Sequence, residues 1–451
     1  IEHGAEKMTR YGSNSLFISS DSGELIGIIT DKDIRMRVLP AGLSGKEPVY
    51  KIMSAPVISI NPSSNVFEAA MLMQKNKIHH LPVQKDGKTY VFSAEELLRI
   101  QRESHLFVLR QIEEAKNKTE LKEYLSRYHR MIVAMVPGSV SSVTVCRFLS
   151  GGADAVVRKI IDFVLDELGE PPRPFCFIQM GSGGRQETTF VTDQDNALIW
   201  ADTTARGEEQ SDDEHLKEWF SEFGKQVSTL LDEYGYQFCK GDNMVKNPRW
   251  LMPLSEWKAL FHQWMTSPQS EEIIRLQIFF DFRCVYGESG LSNELRQYVL
   301  DESPKNPVFL WNLAQSCVDY KIPMDVFRTI RTNPDSDKFD IKNSIRLVVD
   351  LARLYSLAHG VREVNTLTRL HRLYEKGILS STQHRSASQI FENLSQLRLR
   401  HQYHLIENGY PPNNLIDLNE LSDIDKDTLR HLLDQIRSMQ NWIKRDYKGV
   451  T

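Results

Sequence analysis

Short apolar runs separated by turn residues fill the first part of this chain. Ser15–Ile18 and Leu25–Ile29 have the composition of buried strands, and a helix is predicted directly after Thr30. The same order returns about 60 residues further on, with strands predicted at His80–Val83 and Tyr90–Phe92. Two copies of one unit therefore form an internal repeat.

Beyond about residue 100, the apolar residues recur at helical spacing instead. After a connector with apolar residues at helical spacing, a turn rich in proline leads into a predicted strand at Phe175–Met180. A second strand is predicted over Asp193–Trp200 and a third over Gly235–Cys239. Beyond that region, nearly every segment carries an apolar stripe on one helical face, which predicts a bundle.

These patterns predict an α+β chain of several domains. The length of 451 residues is enough for about three of them. The expected regions are a repeated α/β module at 1–100, a helical connector at 101–170, an α/β domain at 171–285 and an all-α bundle at 286–451.

Composition narrows the classes of function. A net charge of −5 gives no general reason to expect a nucleic-acid partner. The five cysteines contain no CxxC pair, which argues against a zinc ribbon or a disulfide framework and fits a reducing cytosol. Because no stretch approaches the ~18 apolar residues that span a bilayer, we expect a cytoplasmic protein without a membrane partner.

The segment 181–199, GSGGRQETTFVTDQDNALI, carries the clearest chemistry. Gly181 and Ser182 form a turn whose backbone N–H groups and hydroxyl suit a phosphate. Asp193 and Asp195 are two residues apart, and such residues face the same side of a strand. Mg²⁺ binds carboxylate oxygens together with substrate phosphates. The motif therefore indicates nucleotidyl transfer with Asp193 and Asp195 as metal ligands.

The N-terminal repeat resembles a tandem pair of CBS domains, a regulatory module that commonly binds adenine nucleotides. Thr30 and Asp33 match the family positions that contact the ribose, and the first copy resembles one truncated at its start. The alternative for Thr30 is a simple helix cap. In the second copy Ser93 matches, whereas Glu96 replaces the usual Asp or Asn, which puts the second nucleotide pocket in doubt. The resemblance also implies a homodimer.

The central motif resembles the polymerase-beta-like nucleotidyltransferase superfamily. More closely, GSGGRQE with TDQDNALI is similar to a bacterial nucleotidyltransferase family fused to CBS pairs, and the likeness continues through FDIK and LRLRHQ in the helical part. The relatives of that family include glutamine synthetase adenylyltransferases and protein uridylyltransferases. The resemblance implies two Mg²⁺ ions, a nucleoside triphosphate such as ATP or UTP, and a helical domain that recognises the acceptor.

The resemblance also assigns roles to individual residues. Gly181 and Ser182 would bind the β and γ phosphates, and Arg185 either contacts a phosphate or pairs with Glu187. A third carboxylate is expected from a later strand, and Asp242 follows the third predicted strand. The runner-up is Asp281, for which a buried pair with Arg283 is the alternative. Gln194, on the opposite face of the strand, should serve packing or make a structural hydrogen bond, and Asn196 could orient a metal ligand.

Two functions remain open from the sequence. The first is a nucleotidyltransferase that moves a nucleoside monophosphate to a hydroxyl of a protein or small-molecule acceptor, under control of adenine nucleotides bound to the CBS pair. The second is a non-catalytic adenine-nucleotide sensor with a degenerate transferase site. The intact pair of acids favours the first function, and the uncertain third carboxylate favours the second.

Overall fold

The structure is a computed structural model of the whole chain. The residues that it describes are 1–62, 64, 66–85, 88–138, 140–202, 210–266, 277–325, 328–332 and 338–448. The chain divides into two compact units, Ile1–Leu106 and Phe107–Thr451. Each unit is described by itself.

The first unit contains the predicted repeat. Each copy has an antiparallel hairpin, and each second strand ends at a hydroxyl residue that caps the following helix, Thr30 in one copy and Ser93 in the other. The hairpins form two separate two-stranded sheets. The strands are β1 (Ser15–Ser19), β2 (Leu25–Thr30), β3 (His80–Lys85) and β4 (Lys88–Ser93). The helices are α1 (Glu2–Tyr11), α2 (Asp31–Asp33), α3 (Val66–Asn76) and α4 (Ala94–Glu113).

A four-stranded sheet lies at the centre of the second unit. Its order is β7-β6-β5-β8, with β5 antiparallel to both of its neighbours and β6 parallel to β7. The four strands are β5 (Phe175–Gln179), β6 (Asn196–Trp200), β7 (Leu251–Pro253) and β8 (Arg283–Gly287). Alternate side chains of β5 enter different cores: Cys176 and Ile178 pack on one face, and Phe175 and Phe177 on the other. The sheet is therefore covered on both faces.

Two strand predictions need correction. The second strand begins at Asn196 rather than Asp193, and the segment Gly235–Cys239 forms no strand in the described chain. A single parallel bridge between Asp193 and Gln237 replaces the expected pairing. The backbone N–H of Gln194 donates to the carbonyl of Gln237 at 2.9 Å, so the contact is local and ends there.

Helices make up most of the remainder of the second unit, which confirms the predicted mixed architecture with a helical C-terminal part. Ahead of the sheet come α5 (Lys118–Met135) and α6 (Ser142–Leu168). Within the sheet region are α7 (Gly181–Gly184), α8 (Gln210–Glu233) and α9 (Leu254–Thr266). After it come α10 (Ser289–Glu302), α11 (Pro307–Val318), α12 (Ile341–Ala358), α13 (Thr366–Glu375), α14 (Ser381–Glu407) and α15 (Asp423–Asp446). A small sheet pairs β9 (Phe339–Asp340) with β10 (Leu415–Ile416).

Helix α12 is buried around most of its circumference, because it packs against α11, α13 and α14. Asp340 caps its first turn by accepting hydrogen bonds from the N–H groups of Lys342 and Asn343. The cap fixes where α12 begins, and so fixes Lys342 at its start. Across the described residues, none of the helices has the length and apolar character required to cross a membrane.

Candidate functional site

The glycine-serine turn is α7, one helical turn directly after β5. Gly181 has a φ of +55°, and a Cβ there would lie 2.9 Å from a carboxylate oxygen of Asp195. A Cβ on Gly184 would overlap the carbonyl oxygen of Asp281. These two glycines are therefore needed for close packing. The first N–H groups of a helical turn have no partner within it, which leaves donors available to a ligand.

Asp193 and Asp195 come just before β6, and Asp195 lies beside this turn. The N–H of Met180 donates to the carbonyl of Asp195 at 2.8 Å, which ties the acids to the end of β5. A ligand oxygen from each carboxylate and the sulfur of Cys239 all lie within 4.8 Å of one another. Asp193 is exposed, whereas Asp195 and Cys239 are half-buried. The structure thus brings the two predicted ligands together and adds a thiol to them.

The neighbouring carboxylate shifts the pKa of Asp195 more than the nearby cations do. Burial and the negative charge of Asp193 together raise the pKa of Asp195 to about 7, while the thiol of Cys239 and the cations of Lys342 and Arg185 oppose the shift. Burial and the carboxylate of Asp195 together raise the pKa of Cys239 to about 11. Within the described part of the chain, neither Asp193 nor Asp195 forms an ion pair.

Gln194 and Asn196 hold the loop that carries Cys239. The buried side chain of Gln194 donates to the carbonyls of Ser228 (2.9 Å) and Tyr236 (2.8 Å), which confirms the structural hydrogen bonding predicted for it. The side-chain oxygen of Asn196 accepts from the backbone N–H of Val245 at 2.8 Å. The side chain of Asn196 therefore positions the backbone at Val245, and the predicted contact with a metal ligand is not among its hydrogen bonds in the described part of the chain.

Asp242 lies outside the acid pair. Its side chain is exposed, its φ is +56°, and its carboxylate accepts a hydrogen bond from Asn247 at 2.9 Å. The reason is that the expected strand is missing, so that the chain turns at this position instead of continuing beside β6. Among the described residues, Cys239 occupies the place where a third carboxylate was expected.

Asp281 belongs to a buried ion cluster. Its carboxylate is fully buried and accepts hydrogen bonds from Arg353 (2.6 Å), Arg369 (2.6 Å) and Arg185 (2.7 Å). These guanidinium groups hold the pKa of Asp281 far below its usual range, against the opposing effect of burial. The alternative pairing with Arg283 is wrong, because Arg283 pairs with Asp154 at 2.9 Å.

Arg185 connects this cluster to the site. Its guanidinium donates to Glu187 and to Asp281, each at 2.7 Å, and its side chain also lines the cavity described below. Glu187 in turn accepts the backbone N–H of Thr366, the first residue of α13, at 2.6 Å. The predicted pair with Glu187 is therefore present, and it does not remove Arg185 from the cavity wall.

A cavity of about 510 Å³ opens beside the two acids. One wall is the sheet end, with Gly181, Ser182 and Asp195, and the other wall belongs to the helical part, with Lys342 and Arg398. Sequence reasoning assigned no role to Lys342 or Cys239; the FDIK segment was the available signal for the lysine. Arg398 belongs to the LRLRHQ segment. It is buried and donates to Asn414 at 2.7 Å.

Helix α14 fixes the stretch of chain ahead of the acids. Gln402 is fully buried, its side-chain oxygen accepts the N–H of Phe190 at 3.3 Å, and its side-chain nitrogen donates to Thr189 at 3.2 Å. The LRLRHQ segment noted in the sequence is therefore packed against the loop that leads to Asp193.

In the first unit, Thr30 and Asp33 form a reciprocal capping box. Asp33 N–H donates to the hydroxyl of Thr30 at 3.2 Å, and the carboxylate of Asp33 accepts from the N–H (3.0 Å) and hydroxyl (2.8 Å) of Thr30. Ser93 and Glu96 make the equivalent bonds in the second copy. The capping role is therefore present in both copies, and it leaves the ribose contact of Thr30 and Asp33 as a prediction.

Family models match the N-terminal repeat, the region of the four-stranded sheet and the helical region. Residues 126–271 match the model described as "Putative nucleotidyltransferase DUF294", and residues 307–447 match its "Putative nucleotidyltransferase substrate binding domain". Residues 1–39 and 49–109 match the CBS domain. The chain belongs to this CBS-linked nucleotidyltransferase family. The resemblance found from the GSGGRQE and TDQDNALI segments is confirmed at this level.

Individual relatives of this CBS-linked nucleotidyltransferase are similar over shorter stretches. The CBS domain-containing protein YhcV of Bacillus subtilis is 31% identical over 83 residues, which are 18% of this chain and 59% of that protein. Protein MK0525 of Methanopyrus kandleri is 37% identical over 84 residues, 18% of this chain and 43% of that one. The chain thus spans less than two thirds of either relative.

Solved structures resemble a similar share of the chain. The CBS domain pair of protein MJ0100, in complex with 5′-methylthioadenosine and S-adenosyl-L-methionine, is 27% identical with a TM-score of 0.21. That match covers 23% of this chain and 81% of the solved chain.

Proposed function

We propose that this chain transfers a nucleoside monophosphate from a nucleoside triphosphate, ATP or UTP, to a hydroxyl of a protein or small-molecule acceptor. The observation that carries the proposal is the pair Asp193 and Asp195 beside the Gly181–Ser182 turn, on one wall of a cavity of about 510 Å³. The two carboxylates suit Mg²⁺, because oxygen ligands and an open position for phosphate are what this ion requires.

Each part of the site has a place in this reaction. Asp193 and Asp195 would hold the Mg²⁺ ions, which when bound supply charge neutralisation of the triphosphate and activation of the acceptor hydroxyl. The N–H groups of the Gly181–Ser182 turn bind phosphate oxygens, and Arg185 adds a cation on the same wall. Lys342 faces Asp195 closely enough to lower its pKa and is placed to contact a phosphate as well.

The test measures pyrophosphate release from each nucleoside triphosphate with Mg²⁺, with water and glycerol as hydroxyl acceptors. Asp193→Ala should lower the rate on the order of 1,000-fold, since each 1.36 kcal/mol of lost transition-state stabilisation is about tenfold. Asp242→Asn is the matched control, an acid nearby in the chain but outside the cluster, and should keep the wild-type rate. Equal rates in the wild type and Asp193→Ala would remove the assigned role.

The second candidate function is a nucleotide sensor that does not turn over its ligand. The thiol of Cys239, which stands where a third carboxylate was expected, favours this function. Binding of a non-hydrolysable triphosphate with Mg²⁺, measured by isothermal titration calorimetry, separates the two functions. Binding without pyrophosphate release from any triphosphate would support the sensor. Binding together with release supports the transferase.

We also propose that the CBS pair binds AMP, ADP or ATP through Thr30 and Asp33 and regulates the site as a homodimer. The half-buried hydroxyl and carboxylate of this pair are adjacent, 2.8 Å apart, as contact with a ribose would require. In the full chain, adenine nucleotide should raise the melting temperature of the wild type and of Thr30→Ser, and not of Thr30→Val. A flat response of the wild type to all three nucleotides would overturn the proposal, and light scattering tests the dimer.

A further inference from the structure

The third member of the acid cluster is a sulfur atom. The Sγ of Cys239 lies within 4.8 Å of a carboxylate oxygen of both Asp193 and Asp195. Cys239 is half-buried, is not in a disulfide, and belongs to the only such group of possible metal ligands within the described part of the chain. A thiol at this distance from two convergent carboxylates has the spacing of a third ligand.

The loop around Cys239 is held from both sides. Before it, the carbonyl of Gln237 accepts from Gln194 at 2.9 Å, and after it the carbonyl of Cys239 accepts from Asp242 at 3.0 Å. A Cβ on Gly241 would lie 2.8 Å from the side-chain nitrogen of Asn243 and 3.7 Å from the sulfur, so the turn after Cys239 is closely packed. The sulfur therefore has a defined position beside the carboxylates.

We propose that Cys239 is the third protein ligand of the cation held by Asp193 and Asp195, so that the site binds thiophilic divalent ions such as Co²⁺, Zn²⁺ or Cd²⁺ in addition to the Mg²⁺ of the proposed function. The inference rests on the proposed function, which places a cation there. Mg²⁺ requires oxygen ligands, whereas softer ions accept thiolate. On binding, a metal–sulfur bond forms, the S–H bond breaks and the proton leaves to solvent, without any change of oxidation state.

The test is a titration of the purified full chain with Co²⁺, without thiol reductant and under argon. The wild type should develop a near-ultraviolet sulfur-to-cobalt charge-transfer band. Cys239→Ser should lose this band and bind Cd²⁺ about 10- to 100-fold more weakly, as expected when a ligand or its support is removed. Cys284→Ser, a half-buried cysteine on β8 outside the cluster, is the matched control and should keep the band.

A second variant distinguishes the loss of the sulfur ligand from misfolding. Cys239→Asp supplies a carboxylate in place of the thiol, so it should lose the charge-transfer band, bind Mg²⁺ more tightly than the wild type and bind Cd²⁺ more weakly. Circular dichroism checks that each variant is folded. A wild type that binds Co²⁺ without the band, or a Cys239→Ser variant that keeps it, would overturn the inference.

The titration also separates this inference from the proposed function. If Asp193→Asn abolishes cation binding and Cys239→Ser leaves it unchanged, the acid pair stands and the third ligand fails. If the band forms and depends on Cys239 but no triphosphate is turned over, the third ligand stands and the transferase fails.

Discussion

Asp281 and Asp195 are both carboxylates withdrawn from solvent, yet their surroundings act on them in opposite directions. Three guanidinium groups contact Asp281 and hold its pKa far below the usual range. Asp195 has a second carboxylate and a thiol as its neighbours, and its pKa rises to about 7. One acid is neutralised by the protein's own cations, and the other is not.

The acids of the cluster around Asp281, the paired centre, are all ion-paired. Asp281, Glu187 and Asp350 are contacted by four arginines: Arg185, Arg346, Arg353 and Arg369. Such a network is stable only when it is complete. The Asp193–Asp195 pair, the unpaired centre, has no such ion pairs among the described residues. The difference is between a carboxylate that three arginines neutralise and two neighbouring carboxylates without an ion-pair partner.

The largest expected effect comes from breaking the paired centre. Asp281→Asn should reduce the free energy of unfolding by about 3–5 kcal/mol, because it leaves the surrounding arginines without their shared partner in a buried setting. Urea denaturation measures the change. Asp301→Asn, at an exposed position on α10, should stay within about 0.5 kcal/mol of the wild type. A small loss for Asp281→Asn would mean that water or other acids replace the carboxylate.

Arg185 belongs both to the paired centre and to the cavity wall. Its replacement therefore measures how much the paired centre depends on an arginine that also faces the cavity. Arg185→Gln should cost about 2 kcal/mol of unfolding free energy, through lost charge-assisted hydrogen bonds to Glu187 and Asp281. Arg346→Gln, which removes an exposed guanidinium from its pair with the buried Asp350, should cost less than about 1 kcal/mol, because Arg353 still pairs with that acid. Equal losses in the two variants would show that burial does not distinguish these arginines.

A divalent cation should complete the unpaired centre. At ten times its dissociation constant, a bound cation raises the free energy of unfolding by about 1.4 kcal/mol. Denaturation with and without the cation measures this gain, which should vanish in Asp195→Ala and persist in Arg346→Gln. A gain that survives in Asp195→Ala would place the stabilising ion elsewhere.

The smallest effect tests the unpaired centre without metal. Because the pKa of Asp195 is raised in the folded chain, its contribution to stability is fully present below the unfolded value near ~3.9 and is lost as pH rises through about 7. Asp195→Asn removes that loss, so it should stabilise the metal-free protein by about 1 kcal/mol at pH ~8 and by less at pH ~5. Asp242→Asn should show no such pH dependence, and the same gain at both pH values would contradict the raised pKa.

The sequence allowed local features to be predicted well. The hairpins of the first unit and the strand at Phe175 follow from short-range patterns, and the turn at Gly181 was expected near Asp193 and Asp195. Local chemistry determines each of these features, since a strand needs only its apolar residues and a turn its glycines.

The paired centre could not be predicted in this way. Asp281 meets Arg353 across 72 residues of sequence and Arg369 across 88, so the contacts depend on how α12 and α13 pack against the sheet. The missing third strand had a similar cause: the bridge at Gln237 ends after one pair, which placed Cys239 rather than Asp242 beside the acids. Tertiary packing decided both outcomes.

The hydrogen bond from Thr366 to Glu187 joins the regions matched by two separate family models, and the arginines around Asp281, which lies between those regions, come from both of them. A truncated protein that ended before α12 would lose Arg353 and Arg369 and leave Asp281 as a buried charge with one remaining partner. The transferase region and the helical region should therefore unfold in a single cooperative step, and a recombinant fragment of either region alone should aggregate. The smallest fragment expected to fold by itself therefore contains both the transferase region and the helical region.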